Sequence, residues 1–310
     1  MSERRKGERD FLGSRETPYS KGLMARALTA IGVREDDAYE LARRTQLDLS
    51  DRGEVSVDLE RLSELAGEVL GSDRGTRAVR QLRRFRDLQE LDLPVILLVG
   101  GGTGTGKSTV ATEVAYRLGI TRVTSTDFVR QTMRAFFAKE FMPSIHYSSF
   151  EAGLGLSKAE EEESGDAALL GFLDQTRNVL TGVEAALQRA LDEGWSMVLE
   201  GVHLVPGMIT TELRGALVVH CLLGIRDEEI HRTHFWIRDA TSDGVRPVDR
   251  YIAGLPEIRM IQEYLLDRAA RCDVPVIENE SQSDAVGAVM ELVLEQAERV
   301  AQSSSSQGVR

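Results

Sequence analysis

The architecture of this chain can be worked out from one segment, Val95-Ile96-Leu97-Leu98-Val99-Gly100-Gly101-Gly102-Thr103-Gly104-Thr105-Gly106-Lys107-Ser108. Its first five residues form a short apolar run followed by glycines, a pattern typical of a β-strand that is buried on both faces. Residues 107–118 then carry apolar side chains at helical spacing. The segment therefore predicts a strand, a glycine-rich loop and a helix in direct succession.

The loop within this segment matches the pattern G-x-x-x-x-G-K-[S/T] without a mismatch. Glycines let backbone N–H groups turn inward around phosphate groups, and the N-terminus of the new helix adds its positive dipole end. The alternative is a glycine-rich turn with an incidental lysine, but the flanking strand and helix favour phosphate binding. We expect ATP to be bound by the loop and the residue after it: Gly101, Gly102, Thr103, Gly104, Thr105, Gly106, Lys107, Ser108 and Thr109. Lys107 is predicted to reach the β- and γ-phosphates, and the Ser108 hydroxyl to bind Mg²⁺.

Outside this segment, strand and helix patterns alternate. Further strands are predicted at residues 122–125, 197–199, 216–223 and 274–277, and helices at residues 128–138, 167–191, 227–240, 257–271 and 284–301. This alternation indicates an α/β fold with a parallel sheet covered by helices. We predict a disordered N-terminus (1–17), a small mostly helical domain (18–90), the α/β domain (91–302) and a flexible tail (303–310).

Composition limits the classes of partner. The formal net charge of −12 argues against nucleic-acid binding and against binding to anionic membranes, because both depend on excess positive charge. The two cysteines lack metal-ligand spacing, the N-terminus lacks an apolar signal region, and no apolar run approaches the length of a membrane span. We expect a cytoplasmic protein that acts on a small molecule. A homodimer is left open.

The second predicted strand ends in Ser125-Thr126-Asp127. A carboxylate at the carboxyl end of a strand faces the ligand crevice, so that Asp127 could accept a proton from an acceptor hydroxyl or hold Mg²⁺. The alternative role for Asp127 is an ordinary helix N-cap. Arg130 and Arg134 lie four residues apart on the following helix, where they could clamp an anionic substrate group or simply be solvated.

Later segments add candidates. Glu200 ends the third strand, where an acidic residue commonly holds the water shell of a metal ion, and His203 is a minor candidate for substrate contact. The stretch 143–151 contains His146, Ser149 and Glu151 and is either a substrate-covering segment or a surface loop. A group of cationic side chains surrounds a predicted mobile loop at 242–244: His231, Arg232, His234, Arg238, Arg246 and Arg250. From this group we select Arg238 and Arg246 as catalytic lid arginines, with a solvated basic helix as the alternative.

These features together resemble the 2-phosphoglycerate kinase family. The resemblance rests on the phosphate loop, on the 125–127 segment with Arg130, on the Pro-x-x-His-x-Ser-Ser-Phe-Glu stretch at 143–151, and on the specific string Glu-Gly-Val-His-Leu-Val-Pro-Gly at 200–207. The helical front part resembles an ATP-cone domain. The resemblance implies a P-loop kinase fold, with a doubly wound sheet of five parallel strands and helices on both faces. It also implies phosphorylation of the 3-hydroxyl of 2-phosphoglycerate by ATP, giving 2,3-bisphosphoglycerate.

Within that family, we expect the catalytic, substrate and metal residues to come from the candidates already described. The predicted catalytic residues are Lys107, Asp127, Arg238 and Arg246. The predicted substrate contacts are Asp127, Arg130, Arg134, His146, Ser149, Glu151 and His203. The predicted metal ligands are Ser108, Asp127 and Glu200. The alternatives are a kinase for another phosphorylated acid or polyol, such as a sugar-acid or inositol phosphate, a nucleoside monophosphate kinase, and a non-catalytic ATP-binding regulator.

Overall fold

The computed structural model describes residues 10–156, 166–241 and 248–307. These residues form two compact units. One unit contains the described residues up to Asp92, together with Tyr116–Gly119 and the described residues from Met290 onward. The other contains Leu93–Ala115 and the described residues from Ile120 to Val289. The C-terminal residues therefore group with the front part of the chain, whereas the predicted α/β domain extended to residue 302.

The first unit is helical. Its helices in the front part of the chain are α1 (Lys21–Ala30), α2 (Glu35–Arg52), α3 (Leu59–Leu70) and α4 (Ser72–Glu90). Ser20 caps α1 by accepting a hydrogen bond from the Leu23 N–H, and Asp58 caps α3 by accepting one from the Arg61 N–H at 2.7 Å. These caps explain where α1 and α3 begin.

The prediction of disorder for residues 1–17 is wrong for residues 10–17. Phe11 and Leu12 are buried in this unit, with 2% and 7% of their surfaces exposed. The Leu12 carbonyl accepts a hydrogen bond from the Val57 N–H at 2.9 Å, which ties the segment down. The physical reason is that two adjacent large apolar side chains favour burial, which opposes the entropy lost when the polar residues around them become ordered. Residues 1–9 lie outside the described residues.

The second unit is built on a sheet. Its strands are β1 (Val95–Gly101), β2 (Val123–Ser125), β3 (Met197–Glu200), β4 (Leu217–Gly224) and β5 (Val276–Glu278). All pairs are parallel and the order is β2-β3-β1-β4-β5, which confirms the predicted five-stranded parallel sheet. Because β1 lies between β3 and β4, the carboxyl ends of β1, β2 and β3 open on one crevice.

Helices separate these strands. They are α5 (Lys107–Leu118), α6 (Thr126–Phe136), α7 (Ala167–Asp192), α8 (Glu228–Thr241), α9 (Val248–Ala253), α10 (Leu255–Arg271) and α11 (Gln282–Gln307), with 3₁₀ turns at Ser144–His146 and Ser149–Gly155. Ile96 and Leu98 of β1 pack with Val179 and Val183 of α7 in one core cluster. Leu97, on the opposite face of β1, is also fully buried. Burial of both faces is what a parallel sheet between helix layers requires.

The predicted flexible tail is wrong for residues 303–307, because α11 continues to Gln307. The Ser303 hydroxyl donates a hydrogen bond to the Val300 carbonyl at 2.8 Å. Serine is only a few tenths of a kcal/mol poorer than alanine in a helix, so an established helix can extend through a serine run. Residues 308–310 lie outside the described residues.

Candidate active site

The phosphate loop joins β1 to α5 and is shaped by glycines in the left-handed region. Gly104 has φ +88° and Gly106 has φ +79°. A Cβ at Gly106 would lie 2.4 Å from Nδ2 of Asn279, so only glycine fits this position. The same Asn279 amide donates to the Thr105 carbonyl at 2.8 Å. Asn279 therefore holds the loop in place. Lys107 is the first residue of α5, and the N–H groups at the start of a helix have no intrahelical acceptor.

Two histidines of α8 also hold the loop. Nε2–H of His231 donates to the Thr103 carbonyl at 2.7 Å, and Nδ1–H of His234 donates to the Gly104 carbonyl at 3.1 Å. Burial lowers the pKa of His231 to about 4, so its ring is neutral at physiological pH. The ring of Phe235 stacks on His231 with 5.2 Å between centroids. The sequence grouped both histidines with the lid cations, but they support the phosphate loop.

Lys107 is buried beneath the loop. Its Nζ donates to the Gly102 carbonyl at 2.6 Å. Burial lowers the pKa of this ammonium group, and the nearby carboxylates of Glu200 and Asp127 oppose that effect. The Lys107 ammonium group therefore lies against the backbone of the loop, where a bound phosphate oxygen could replace the Gly102 carbonyl as its acceptor.

Ser108 and Glu200 form a pair at the end of the central strands. The Ser108 hydroxyl donates to Oε1 of Glu200 at 2.9 Å, and the register places Glu200 beside Val99 of β1 and Ser125 of β2. A hydroxyl and a carboxylate are hard oxygen ligands of the kind that Mg²⁺ prefers. The residues present therefore fit a magnesium ion between the loop and β3.

Asp127 is available for chemistry because another residue caps α6. Oγ of Ser125 accepts the hydrogen bond from the Phe128 N–H at 3.0 Å, so the alternative role of Asp127 as the N-cap is not realised. The Asp127 side chain is 61% exposed and lines the cavity. Partial burial works against its ionisation, but Arg130, whose Nε lies 3.1 Å away, acts in the opposite direction together with other nearby groups such as Lys107, and the pKa of Asp127 is lowered overall.

Arg130 is a buried side chain with several partners. Besides Asp127, it donates through Nη1 to the carbonyls of Ile145 at 2.9 Å and Tyr147 at 2.6 Å, and it lines the cavity. Arg130 thereby fixes the 143–151 segment against α6. Arg134, predicted as its companion, is exposed and donates to Gln131 at 3.0 Å.

His146 and His203 do not line the cavity. Nε2–H of His146 donates to the Phe137 carbonyl at 2.9 Å. His203 is fully buried: its Nδ1 accepts from Thr126 Oγ1 at 2.8 Å, and its Nε2–H donates to Gln175 Oε1 at 2.9 Å. Burial lowers its pKa to about 3. Direct substrate contact by His203 does not fit this placement, because both ring nitrogens are occupied within the wall of the site.

Three residues of the 143–151 segment line the cavity: Ser148, Ser149 and Phe150. Oγ of Ser149 lies 3.3 Å from Thr103 Oγ1 of the phosphate loop. Glu151 is paired with Arg250 of α9, whose Nε donates to Oε1 at 2.9 Å. Of the selected lid arginines, Arg238 lies in α8 at a position whose side chain is not described, and Arg246 lies outside the described residues.

A single cavity of about 630 Å³ brings most of the candidates together. The predicted residues that line it are Thr103, Gly104, Gly106, Lys107, Ser108, Thr109, Asp127, Arg130, Ser149 and Glu200. Asn279 also lines it and was not predicted. Its position directly after β5, at the same sheet edge as the phosphate loop, is the signal that could have identified it.

Within the described part of the chain, no helix combines the length and apolar character needed to cross a membrane.

No protein-family model matches the chain. Among curated proteins, the chain is 36% identical over 279 residues to the 2-phosphoglycerate kinase of Methanopyrus kandleri, covering 90% of this chain and 84% of that protein. It is 38% identical to the 2-phosphoglycerate kinase of Methanococcus vannielii over 282 residues, covering 90% and 89%. With the 2-phosphoglycerate kinase of Pyrococcus furiosus it shares 35% identity over 288 residues, covering 93% and 92%. Relatives of this similarity over most of both chains show that the protein belongs to the 2-phosphoglycerate kinase family.

Proposed function

We propose that this protein transfers the γ-phosphoryl group of ATP to the 3-hydroxyl of 2-phosphoglycerate, giving ADP and 2,3-bisphosphoglycerate. The observation that carries the proposal is a phosphate loop, a Ser108–Glu200 pair and an ionised Asp127 around one cavity, in a chain similar to 2-phosphoglycerate kinases over most of its length. The cavity of about 630 Å³ is within the usual range for small-molecule sites.

The loop side of the cavity binds ATP in this proposal. The amides that open α5 and the ammonium group of Lys107 face the β- and γ-phosphates. Ser108 and Glu200 would hold Mg²⁺, directly or through water, and the ion would supply positive charge against the phosphate oxygens. Lys107 leaves the Gly102 carbonyl when a phosphate oxygen becomes available, and its charge stabilises the transferred group.

The opposite side of the cavity binds the acceptor. Asp127 accepts a hydrogen bond from the acceptor hydroxyl, orients it towards the γ-phosphorus and takes its proton as transfer proceeds. Because phosphoryl transfer has a loose transition state, the main contributions are positioning and charge neutralisation rather than strong base catalysis. Arg130 holds Asp127 and the 143–151 segment in place, and it contributes positive charge to this side.

An acceptor screen tests the proposal. Purified protein with ATP and Mg²⁺ is given 2-phosphoglycerate, 3-phosphoglycerate, an inositol phosphate or AMP, and ADP release is measured. We expect release with 2-phosphoglycerate to exceed that with every other acceptor by about 100-fold or more, since acceptors that lack the matching groups leave charged side chains unpaired.

Variants identify the site responsible. Lys107→Ala should lower acceptor-dependent ADP release by about 10³-fold or more, because it removes the charge beside the transferred group. Lys21→Ala is the matched control, since Lys21 belongs to the helical unit, where its Nζ donates to the Tyr39 hydroxyl. Turnover only with another acceptor would refute the substrate, and ATP binding without any acceptor-dependent turnover would refute the kinase activity.

A further inference from the structure

Arg250 lies beside the acceptor side of the cavity. It belongs to α9, and its Nη2 donates to Oγ of Ser148 at 2.9 Å, while its Nε donates to Oε1 of Glu151 at 2.9 Å. Nη2 also contacts the second oxygen of Glu151. Ser148 and the adjacent Tyr251 both line the cavity. The Arg250 guanidinium group is therefore hydrogen-bonded to a residue that lines the cavity.

The described residues that line the cavity supply less positive charge than a phosphorylated acid requires. Among the described residues that line it, the Lys and Arg side chains are Lys107 and Arg130. The carboxylates of Asp127 and Glu200 balance their two positive charges. Lys107 lies at the phosphate loop, and Arg130 already donates to Asp127 and two backbone carbonyls. An acceptor with a phosphate and a carboxylate needs at least one more cation on its own side.

The contact between Arg250 and Glu151 is suited to exchange. Half of the Arg250 side chain and about a quarter of the Glu151 side chain are exposed, at 50% and 27%. Ion pairs at this degree of exposure contribute little to stability, because water solvates both partners well. The N–H donors of the guanidinium group that bind this carboxylate can equally bind a phosphate or carboxylate of a ligand.

We infer that Arg250 binds an anionic group of the acceptor, and that Glu151 occupies the guanidinium group until the acceptor replaces it. This inference rests on the proposed kinase function and deepens it. Glu151, predicted from sequence as a substrate contact, is here a competing anion that holds Arg250 beside Ser148. Arg250 itself contacts the substrate in the bound state, together with the Ser148 hydroxyl.

Two variants test the inference because they remove the same ion pair from opposite sides. Arg250→Gln should raise the KM for 2-phosphoglycerate by about 10- to 100-fold, since a charge-assisted contact to the acceptor is lost. Glu151→Gln should leave that KM at the wild-type value or lower it by about 2- to 5-fold, since the carboxylate that competes with the acceptor is neutralised. The KM for ATP should stay within about 2-fold in both variants, because neither residue contacts the phosphate loop.

The matched control is Arg271→Gln, an exposed arginine of α10 that pairs with Asp267 at 2.9 Å and does not line the cavity. Its kinetics should equal those of the wild type. Any loss of stability from breaking the Arg250–Glu151 pair is common to both variants, so opposite or unequal effects on KM cannot come from stability alone. A raised acceptor KM in Glu151→Gln, or an unchanged one in Arg250→Gln, would overturn the inference.

The wild-type measurement separates this test from that of the proposed function. A wild-type protein that does not phosphorylate 2-phosphoglycerate refutes the substrate before any variant is compared. A wild-type protein that does, combined with an unchanged acceptor KM in Arg250→Gln, refutes only the role of Arg250.

Discussion

At the scale of single residues, Asp127 is the side chain that we propose as the base for the acceptor hydroxyl. We predict that Asp127→Asn lowers kcat by about 10²-fold, at the low end for general-base residues because the transition state is loose, with little change in the KM for ATP. Steady-state kinetics with each substrate varied in turn measure both quantities. Arg134→Gln on the same helix should behave as the wild type, because Arg134 donates to Gln131 away from the cavity. Equal kcat values for wild type and Asp127→Asn would remove Asp127 from the mechanism.

His203 should make stability depend on pH. Its pKa is lowered to about 3 in the folded protein, whereas the ordinary value is 6.5. As pH falls below 6.5 the unfolded chain takes up a proton that the folded protein does not, so the free energy of unfolding decreases towards pH 3. Above pH 6.5 His203 is neutral in both the folded and the unfolded state, so it no longer makes stability depend on pH. Between pH 6.5 and pH 3 it changes the free energy of unfolding by at most about 1.4 kcal/mol per pH unit.

Denaturant unfolding between pH 7 and pH 4 measures this effect. His203→Asn should be less stable than the wild type at pH 7, because hydrogen bonds of Thr126 and Gln175 are weakened. Its stability should nevertheless fall less steeply as pH decreases. Identical slopes for wild type and variant would show that His203 is not held neutral in the folded state.

The placement of site residues could be predicted only where a local pattern determines it. The phosphate loop is such a case, since the spacing of Gly101, Gly106 and Lys107 belongs to a motif that predicts a loop between a strand and a helix. His203 is the opposite case. It follows Glu200 by three residues and was predicted to contact substrate, yet Gln175, from a helix distant in sequence, orients its ring inside the wall. A sequence does not show which distant residue will be the hydrogen-bond partner of a given side chain.

At the scale of elements, α8 should control ATP binding through the backbone of the phosphate loop. Replacing His231 with Phe keeps an aromatic ring beside Phe235 but leaves the Thr103 carbonyl without its donor. We expect the KM for ATP to rise by about 10-fold, which corresponds to roughly 1.4 kcal/mol, and the acceptor KM to change less.

Arg232→Gln on the same helix is the control for this prediction, because Arg232 pairs with Glu228 on the exposed face of α8. The control should keep the wild-type KM for ATP. If His231→Phe binds ATP as tightly as the wild type does, α8 does not support the loop in the way that the contact suggests.

Element type was predictable, and the exceptions have physical causes. The five strands and the helices between them were expected from apolar runs and helical spacing, and all five strands are present. The predicted helix start at 128 is two residues late, because Ser125 caps α6 and Thr126 already belongs to it. The 3₁₀ turns at Ser144–His146 and Ser149–Gly155 were not predicted, because turns this short carry no periodic pattern.

At the scale of the whole molecule, the α/β fold followed from local alternation, whereas membership of the two units did not. The end of α11 groups with the front helices, where Glu298 pairs with Arg84 at 2.7 Å. Val293 and Leu294 of the same helix are almost fully buried. Apolar spacing predicts that such a helix packs against something, but it does not say which part of the chain covers it.

The identity of the product tests the central proposal most directly. Protein, Mg²⁺, 2-phosphoglycerate and ATP labelled in the γ-phosphoryl group are combined, and the products are identified by mass and by phosphorus NMR. We predict one labelled 2,3-bisphosphoglycerate for each ADP, with the label at the 3-position. Label found only in inorganic phosphate, or on any other acceptor, would contradict the proposed reaction.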